Sequence, residues 1–576
     1  MQGNSEHHDQ VRPAWAWRSV VVMTMFVAGA VLMLARAFEL QVVRKDFLQD
    51  QGQARHVRVV EMPAHRGMIT DRNGEPLAVS TPVASVWVNP RELGQAAERL
   101  PELASVLEEN PRDLVQTVAD RQDREFVYLK RHITPHTADA VEALAIPGVH
   151  LQREYKRFYP AAEVTAHLLG FTNIDDKGQE GLELAFNEWL SGEAGAKRVL
   201  RDRLGQTVED LELLSAPHPG KTLQASIDLR LQYLAYRELK SAIQENDAVS
   251  GSIVVLDAAS GEILALANQP SFNPNNRSEL QGGNHRNRAL TDVFEPGSSF
   301  KPFPIIAALE TGDWQPSTTV DTSPGFIKVG GYTIPDERNY GVIDVTTVLA
   351  QSVNVGASKI ALSLERDHLW SVLARFGFGS VTGSGVPGET GGVLPHWQRW
   401  RDVTQATLSY GYGLSVTPLQ LAQAYGIIAA DGVSRPVSFV AGNSSAGEQV
   451  IQARSARSMR RMLETVVAPD GTGSAAAVNG YRVAGKTGTA RKAVAGGYAS
   501  DRHVAVFAGM APVDNPRLVT IVVINEPRKK RYSGGAIAAP VFARVMAGGL
   551  RLLNVAPDAA PAELDRGVII AGRAAP

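Results

Sequence analysis

Residues 19–35 carry no charge and are almost wholly apolar, and this run constrains the chain more than any other feature in it. In lipid the backbone polar groups find no water, so a segment of this kind must be a helix. About 17 to 25 apolar residues span a bilayer. The run meets the lower bound, and residues 37–43 lengthen it. Ala35-Arg36-Ala37 has the small-x-small form of a signal-peptidase site. The run is nevertheless longer than the roughly 7 to 15 residues of a signal core, and Trp15 and Trp17 suit a membrane interface. The expectation is a retained single anchor over 19–40, preceded by a polar tail over 1–18 in which His7 and His8 are solvated. Arg12 and Arg18 on one side face Arg36, Arg44 and Lys45 on the other, so charge asymmetry does not orient the helix. A very long portion after one N-terminal anchor is commonly exported.

At 576 residues the chain exceeds one ordinary domain, so two or three units are expected after the anchor. Its 44% apolar and 20% charged residues are globular values, and a net charge of −2 gives no pull toward nucleic acid. The absence of cysteine excludes disulfides and thiol catalysis.

Asn73-Gly74 stands between apolar stretches in 64–80, a hairpin signal. Residues 91–146 are helix-rich in pattern, and glycines punctuate 166–195 into a turn, a helix and another turn, with His167 and Glu180 in structural positions. A new unit begins near His218-Pro219-Gly220. It opens with a helix from Asp228 that places Leu231, Leu234, Leu239 and Ile243 on one face. SIVVLD and GEILALAN form an early hairpin, and RVAGKTGTA, HVAVFAGMA and RLVTIVVIN are three late strands, followed by a helix over 536–553. Two early and three late strands with helices between them make an α+β unit with one five-stranded antiparallel sheet. The Ala- and Pro-rich residues 554–576 read as a flexible tail.

Three short motifs carry the chemistry. In SSFK, Pro296-Gly297 breaks the chain before Ser298, and Lys301 lies one helical turn on, so hydroxyl and amine share a face. Taken alone, Ser-x-x-Lys is a capped helix start. Pro302 and Pro304 imply an irregular or kinked helix, since a proline beyond the first turn costs about 3 kcal/mol. Ser352 and Asn354 of SVN fall between two helical stretches, where a turn presents both into a cleft or simply caps a helix. In KTGTA, Lys486, Gly488 and Ala490 alternate with Thr487 and Thr489 along a strand. Gly488 admits a substrate backbone, and the strand edge offers amides and hydroxyls to a carbonyl and a carboxylate, unless it is a plain hairpin strand. A nucleophilic hydroxyl, an amine base and a second cation are what acyl transfer through a serine ester needs.

Ser-x-x-Lys, Ser-x-Asn and Lys-Thr-Gly in this order are the signature of penicillin-binding proteins and β-lactamases. Val353 in place of aspartate favours the former. With RGMITDRNGEPLA, RFYP, AHLLGFTN, GQEGLE, FEPGSSFKP, YGYGLSVTPLQLAQAYG and GGAIAAPVF, the chain resembles a class B penicillin-binding protein, most closely the division-specific FtsI type. The resemblance implies a non-catalytic pedestal (dimerisation-type) domain over 41–220 and a transpeptidase domain over 221–553. It implies an inner-membrane protein with a cytoplasmic N-terminus and a periplasmic body that cross-links peptidoglycan stem peptides during septal synthesis. Ser298 would attack the penultimate D-alanine carbonyl, Lys301 would take its proton, and the Ser298 and Thr489 amides would hold the oxyanion. Ser352 with Lys486 would protonate the leaving D-alanine, Asn354 would bind the acyl side, and Thr487 and Thr489 would bind the terminal carboxylate. β-Lactams would acylate the same serine. Lipid-linked precursors and divisome membrane proteins, a glycosyltransferase among them, are the implied partners; no cofactor, metal or nucleic acid is expected. The alternatives are an elongation-type transpeptidase and a division scaffold with little catalysis. Two departures from the family pattern are Pro304 and the basic stretch INEPRKKRYSGG.

Overall fold

The computed structural model describes residues 16–45, 57–201, 207–276, 278, 283–443, 446–494 and 496–559. The polar tail over 1–15, with His7 and His8, and the segment from 560 onward lie outside the described residues. The apolar run forms helix α1 (Ala16–Phe38), which continues into a π-helical turn, Glu39–Val43. Trp17–Val43 has a mean hydropathy of 2.2 and is not buried against the rest of the protein. The added turn supplies the length that residues 19–35 lacked.

Beyond the anchor, Val57–Met62, Gly195–Arg201 and Thr207–Ser215 form a three-stranded antiparallel sheet. A second sheet is built on the long strand Pro76–Val88, which pairs with Val127–Ile133, with Val149–Phe158 and with Ile69–Thr70. Val127–Ile133 interrupts the helix-rich stretch expected over 91–146, and REYKRFYP lies largely in the strand Val149–Phe158. Neither strand shows clean alternation, because charged residues on the half-buried positions hide the period of two. Helices Pro90–Leu93, Leu100–Val106, Pro111–Ala119 and Pro135–Ala143 cover this sheet, each with proline in its first turn. Asn89, Asn110 and Thr134 cap three of them by accepting from backbone N–H groups.

The Asn73-Gly74 turn is present, with Gly74 at φ +91° and its N–H on the Asp71 carbonyl at 3.1 Å. The Asp71 carboxylate accepts from the N–H groups of Asn73 and Glu75 and, at 3.1 Å, from that of Leu229. Three of the motifs quoted above meet at one buried cluster. Glu183 of GQEGLE accepts from Arg66 of the RGM stretch and from Arg157 of RFYP, each pair at 2.6 Å, and all three side chains are at most 2% exposed. The motifs therefore hold the pedestal together. Leu223–Gln224 pairs in parallel with Ile69–Thr70 and so ties the start of the second unit to the sheet of the first.

The second unit opens with α2 (Leu229–Asn246), capped by Asp228. Leu231 and Leu239 are buried, with Leu234 and Ile243 half-buried beside them. Strands β1 (Ser250–Asp257), β2 (Ile263–Gln269), β3 (Ala484–Val494), β4 (Gly497–Ala511) and β5 (Leu518–Asn525) form one antiparallel sheet in the order β2-β1-β5-β4-β3. Alternate residues feed separate cores on the two faces: Val254, Ile521 and Val506 on one, Val255, Val522 and Phe507 on the other. Burial on both faces explains why these strands read as continuous apolar runs. α2 and α8 (Gly534–Leu552) cover one face; α6 (Pro418–Ala429) and α7 (Ala453–Val467) cover the other. Residues 554–559 are not loose: the Val555 carbonyl accepts from the Tyr481 hydroxyl and Asp558 from the Arg482 N–H.

Candidate active site

Ser298 stands on a 3-10 turn, Gly297–Phe300, that leads into α3 (Pro302–Thr311). Gly297 has φ +56° and its N–H reaches the Gly411 carbonyl, while the Tyr425 hydroxyl holds the Ser299 carbonyl at 2.7 Å. Pro302 and Pro304 both occupy the first turn of α3, where backbone N–H groups have no intrahelical partner. The irregular opening expected from these prolines is therefore the 3-10 turn that precedes α3, and neither proline removes a regular helical hydrogen bond.

Ser352 lies between α4 (Val345–Ala350) and α5 (Asn354–Leu362) at φ +60°. A left-handed serine is strained by about 1–3 kcal/mol. The tight link places Ser352 and Asn354 against Lys301. The Lys301 Nζ is 3.0 Å from Ser298 Oγ, 3.1 Å from Ser352 Oγ and 2.8 Å from Asn354 Oδ1, and it also contacts the Ser352 carbonyl. Lys486, from edge strand β3, brings its Nζ to 3.0 Å from the same Ser352 Oγ. All four residues expected to do chemistry thus converge. Both lysines are fully buried, whereas Ser298 and Ser352 are partly exposed.

Burial drives the Lys301 amine well below its usual value, and the nearby Lys486 pushes it further. Burial takes Lys486 down to about 7. Burial lowers both amines and the neighbouring Lys486 charge lowers Lys301 further, so Lys301 gives up its proton first and Lys486 keeps the charge longer. A neutral Lys301 has two N–H donors, which Asn354 Oδ1 and the Ser352 carbonyl accept, and a lone pair left for the Ser298 hydroxyl proton. Such an arrangement activates an alcohol.

Asp336 was not singled out by sequence. Its carboxylate accepts from the N–H groups of Asn354 and Val355 and so caps α5 in place of Val353, which has no side-chain oxygen. An apolar residue at a helix start was the available signal. Thr472 is likewise unforeseen; its hydroxyl lies 3.2 Å from that of Thr487, which also sits 3.3 Å from Lys486 Nζ. The Thr489 hydroxyl accepts from the Gly534 N–H at 3.0 Å. Both threonine hydroxyls are therefore engaged without substrate. At Gly488 a Cβ would stand 2.7 Å from the Pro296 carbonyl and 3.1 Å from Ser299. The missing side chain lets β3 approach the turn bearing Ser298.

A family model for the penicillin binding protein transpeptidase domain matches residues 251–547, and one for the penicillin-binding protein dimerisation domain matches 61–225. The chain is 44% identical to the probable peptidoglycan D,D-transpeptidase PbpC of Pseudomonas aeruginosa, over 96% of this chain and 98% of that one. It is 42% identical to the peptidoglycan D,D-transpeptidase FtsI of Escherichia coli, over 94% and 93%. Among solved structures, a peptidoglycan synthetase from Bifidobacterium adolescentis superposes with a TM-score of 0.70 at 25% identity, covering 88% of this chain and 98% of that one. With a dimerisation domain, a transpeptidase domain and likeness of this extent along nearly its whole length, the chain belongs to the class B penicillin-binding proteins.

Proposed function

We propose that this protein is a septal peptidoglycan D,D-transpeptidase in which Ser298 is the nucleophile and Lys301 its base. The observation that carries the reading is the 3.0 Å approach of a buried, deprotonation-prone Lys301 Nζ to Oγ of the partly exposed Ser298. Ser298 attacks the carbonyl of the penultimate D-alanine of a stem peptide, and its proton passes to Lys301. The Ser298 and Thr489 amides stabilise the oxyanion. Ser352, bridging the two lysines, passes a proton to the leaving D-alanine, with Lys486 as the replenishing cation. Asn354 orients the acyl side, and Thr487 and Thr489 bind the carboxylate by exchanging their present partners for it. A neighbouring stem amine then resolves the ester, and a β-lactam acylates the same serine.

The relatives named D,D-transpeptidase FtsI support the septal role. The domain division that fits is pedestal over 41–220 and transpeptidase over 221–553, with the strand at 223–224 as the seam. α1 would hold the protein in the inner membrane with a cytoplasmic N-terminus and a periplasmic body, beside division proteins that include a glycosyltransferase and near the lipid-linked precursors. Incubation with a penicillin followed by peptide mapping is the test. The adduct is expected on the peptide containing Ser298, with none in the Ser298→Ala variant; an adduct on another residue overturns the assignment.

A further inference from the structure

The basic stretch between β5 and α8 plays no part in the chemistry above. Residues 528–531 are Arg-Lys-Lys-Arg, all exposed, in a chain whose net charge is only −2. Among the described residues none of the four makes an ion pair. Consecutive like charges repel one another, so a mobile loop would spread them apart. Here both ends are fixed. The Arg528 N–H donates to the Asn246 carbonyl at 3.1 Å, and the Tyr532 ring stacks on His503 with centroids 4.3 Å apart and planes at 21°. Two residues on, the Gly534 N–H holds the Thr489 hydroxyl.

The loop also lies along the direction in which the edge strand leaves the catalytic centre. The nucleophile turn meets β3 at Thr489, whose carbonyl is 3.1 Å from where a Cβ of Gly297 would be. β3 runs on to Val494, and Arg491 pairs in register with His503, the residue on which Tyr532 stacks. Thr487, Thr489 and Arg491 occupy alternate positions and so share one face of the strand. That face leads from the threonine hydroxyls toward the 528–531 loop.

We propose that residues 528–531 form a docking lip for peptidoglycan strands, recognising carboxylates of stem peptides other than the one being cut. This rests on the transpeptidase reading and adds a contact outside its reacting centre. A glycan strand carries one anionic peptide after another, and a pre-set row of cations gathers such a polymer by many weak, salt-sensitive contacts. A single small β-lactam has one carboxylate, which the threonines take, and so does not need the four cations of the loop.

The test uses the full-length protein in detergent and the variant Arg528→Gln/Lys529→Gln/Lys530→Gln/Arg531→Gln. Acylation by a fluorescent penicillin is expected at the parent rate in the variant, which also reports an intact fold. Binding to soluble uncross-linked glycan strands with free stem-peptide carboxylates is expected to weaken about tenfold at low salt, and less at high salt, because exposed charge contacts are screened. Strands whose carboxylates have been amidated should bind parent and variant alike. Equal binding of the carboxylate strands by parent and variant overturns the proposal. So does a loss confined to vesicles containing anionic phospholipid, which would make the loop a membrane contact. Failure of the parent to form an adduct at Ser298 would instead overturn the transpeptidase reading.

Discussion

At the scale of single residues, the ionisation of two lysines sets the chemistry. Lys301 must be neutral to accept the Ser298 proton, and its depressed pKa makes it neutral well below the ordinary lysine range. Lys486 must be charged to supply a proton through Ser352, and it holds that charge only up to about pH 7. The acylation rate should therefore rise as Lys301 loses its proton and fall as Lys486 loses its own, giving a bell whose falling limb lies near 7. An arginine does not deprotonate, so Lys486→Arg should react more slowly throughout but lose the falling limb. Stopped-flow acylation across pH checks both, and an unchanged falling limb would assign it to another group. The threonines make a second residue-scale prediction. Thr487→Val should slow acylation by about ten- to a hundredfold, from a lost charge-assisted hydrogen bond of roughly 1.5–3 kcal/mol, with little change in melting. Thr489→Val should slow it as well but also lower the melting temperature, because the Gly534 N–H loses its acceptor. Equal melting of the two variants would contradict that difference. Ser298, Lys301, Ser352 and Lys486 were legible because each motif sets its own residues at fixed spacing. Asp336 and Thr472 were not, because their contacts join segments that only the tertiary fold brings together.

At the scale of elements, local patterns were readable wherever burial follows the period of a helix or strand. α2 and the five strands of the transpeptidase sheet follow their apolar runs closely. The pedestal strand Val149–Phe158 does not, since it carries His150, Arg153, Glu154, Lys156 and Arg157 and takes its place by pairing with Pro76–Val88. α3 shows the opposite case. Its prolines announce an irregular opening, and the helix begins with a 3-10 turn before its regular bonding sets in. The buried cluster of Arg66, Arg157 and Glu183 ties three elements that are distant in sequence, and Glu183 is the acceptor both arginines share. Glu183→Ala leaves two guanidinium groups buried without their carboxylate, which should cost about 3–5 kcal/mol. Differential scanning calorimetry should show an early pedestal transition, with penicillin acylation preserved at low temperature. A thermogram matching that of the parent would mean the cluster contributes nothing to stability.

The whole molecule sets a catalytic unit at the far end of a chain whose other end is built for lipid. α1 is uncovered by the rest of the protein, so its exposed Val, Met, Leu and Phe side chains would be costly in water and need a bilayer. Basic residues flank it on both sides, so charge does not orient it, and the proposed transpeptidase role is what calls for an exported body. Stem peptides awaiting cross-linking lie outside the inner membrane, and a transpeptidase facing the cytoplasm would meet none that are polymerised. Alkaline phosphatase fused after residue 50 should accordingly be active in a Gram-negative host, because that enzyme matures only after export. The helix also runs unbroken through Ala35-Arg36-Ala37, which has the form of a cleavage site. Retention of the anchor predicts that intact-mass analysis of the membrane-extracted protein finds Trp15 still attached. A mature N-terminus at Phe38 would make the apolar run a removed signal and leave the pedestal without a membrane tether, and an inactive fusion would reverse the orientation.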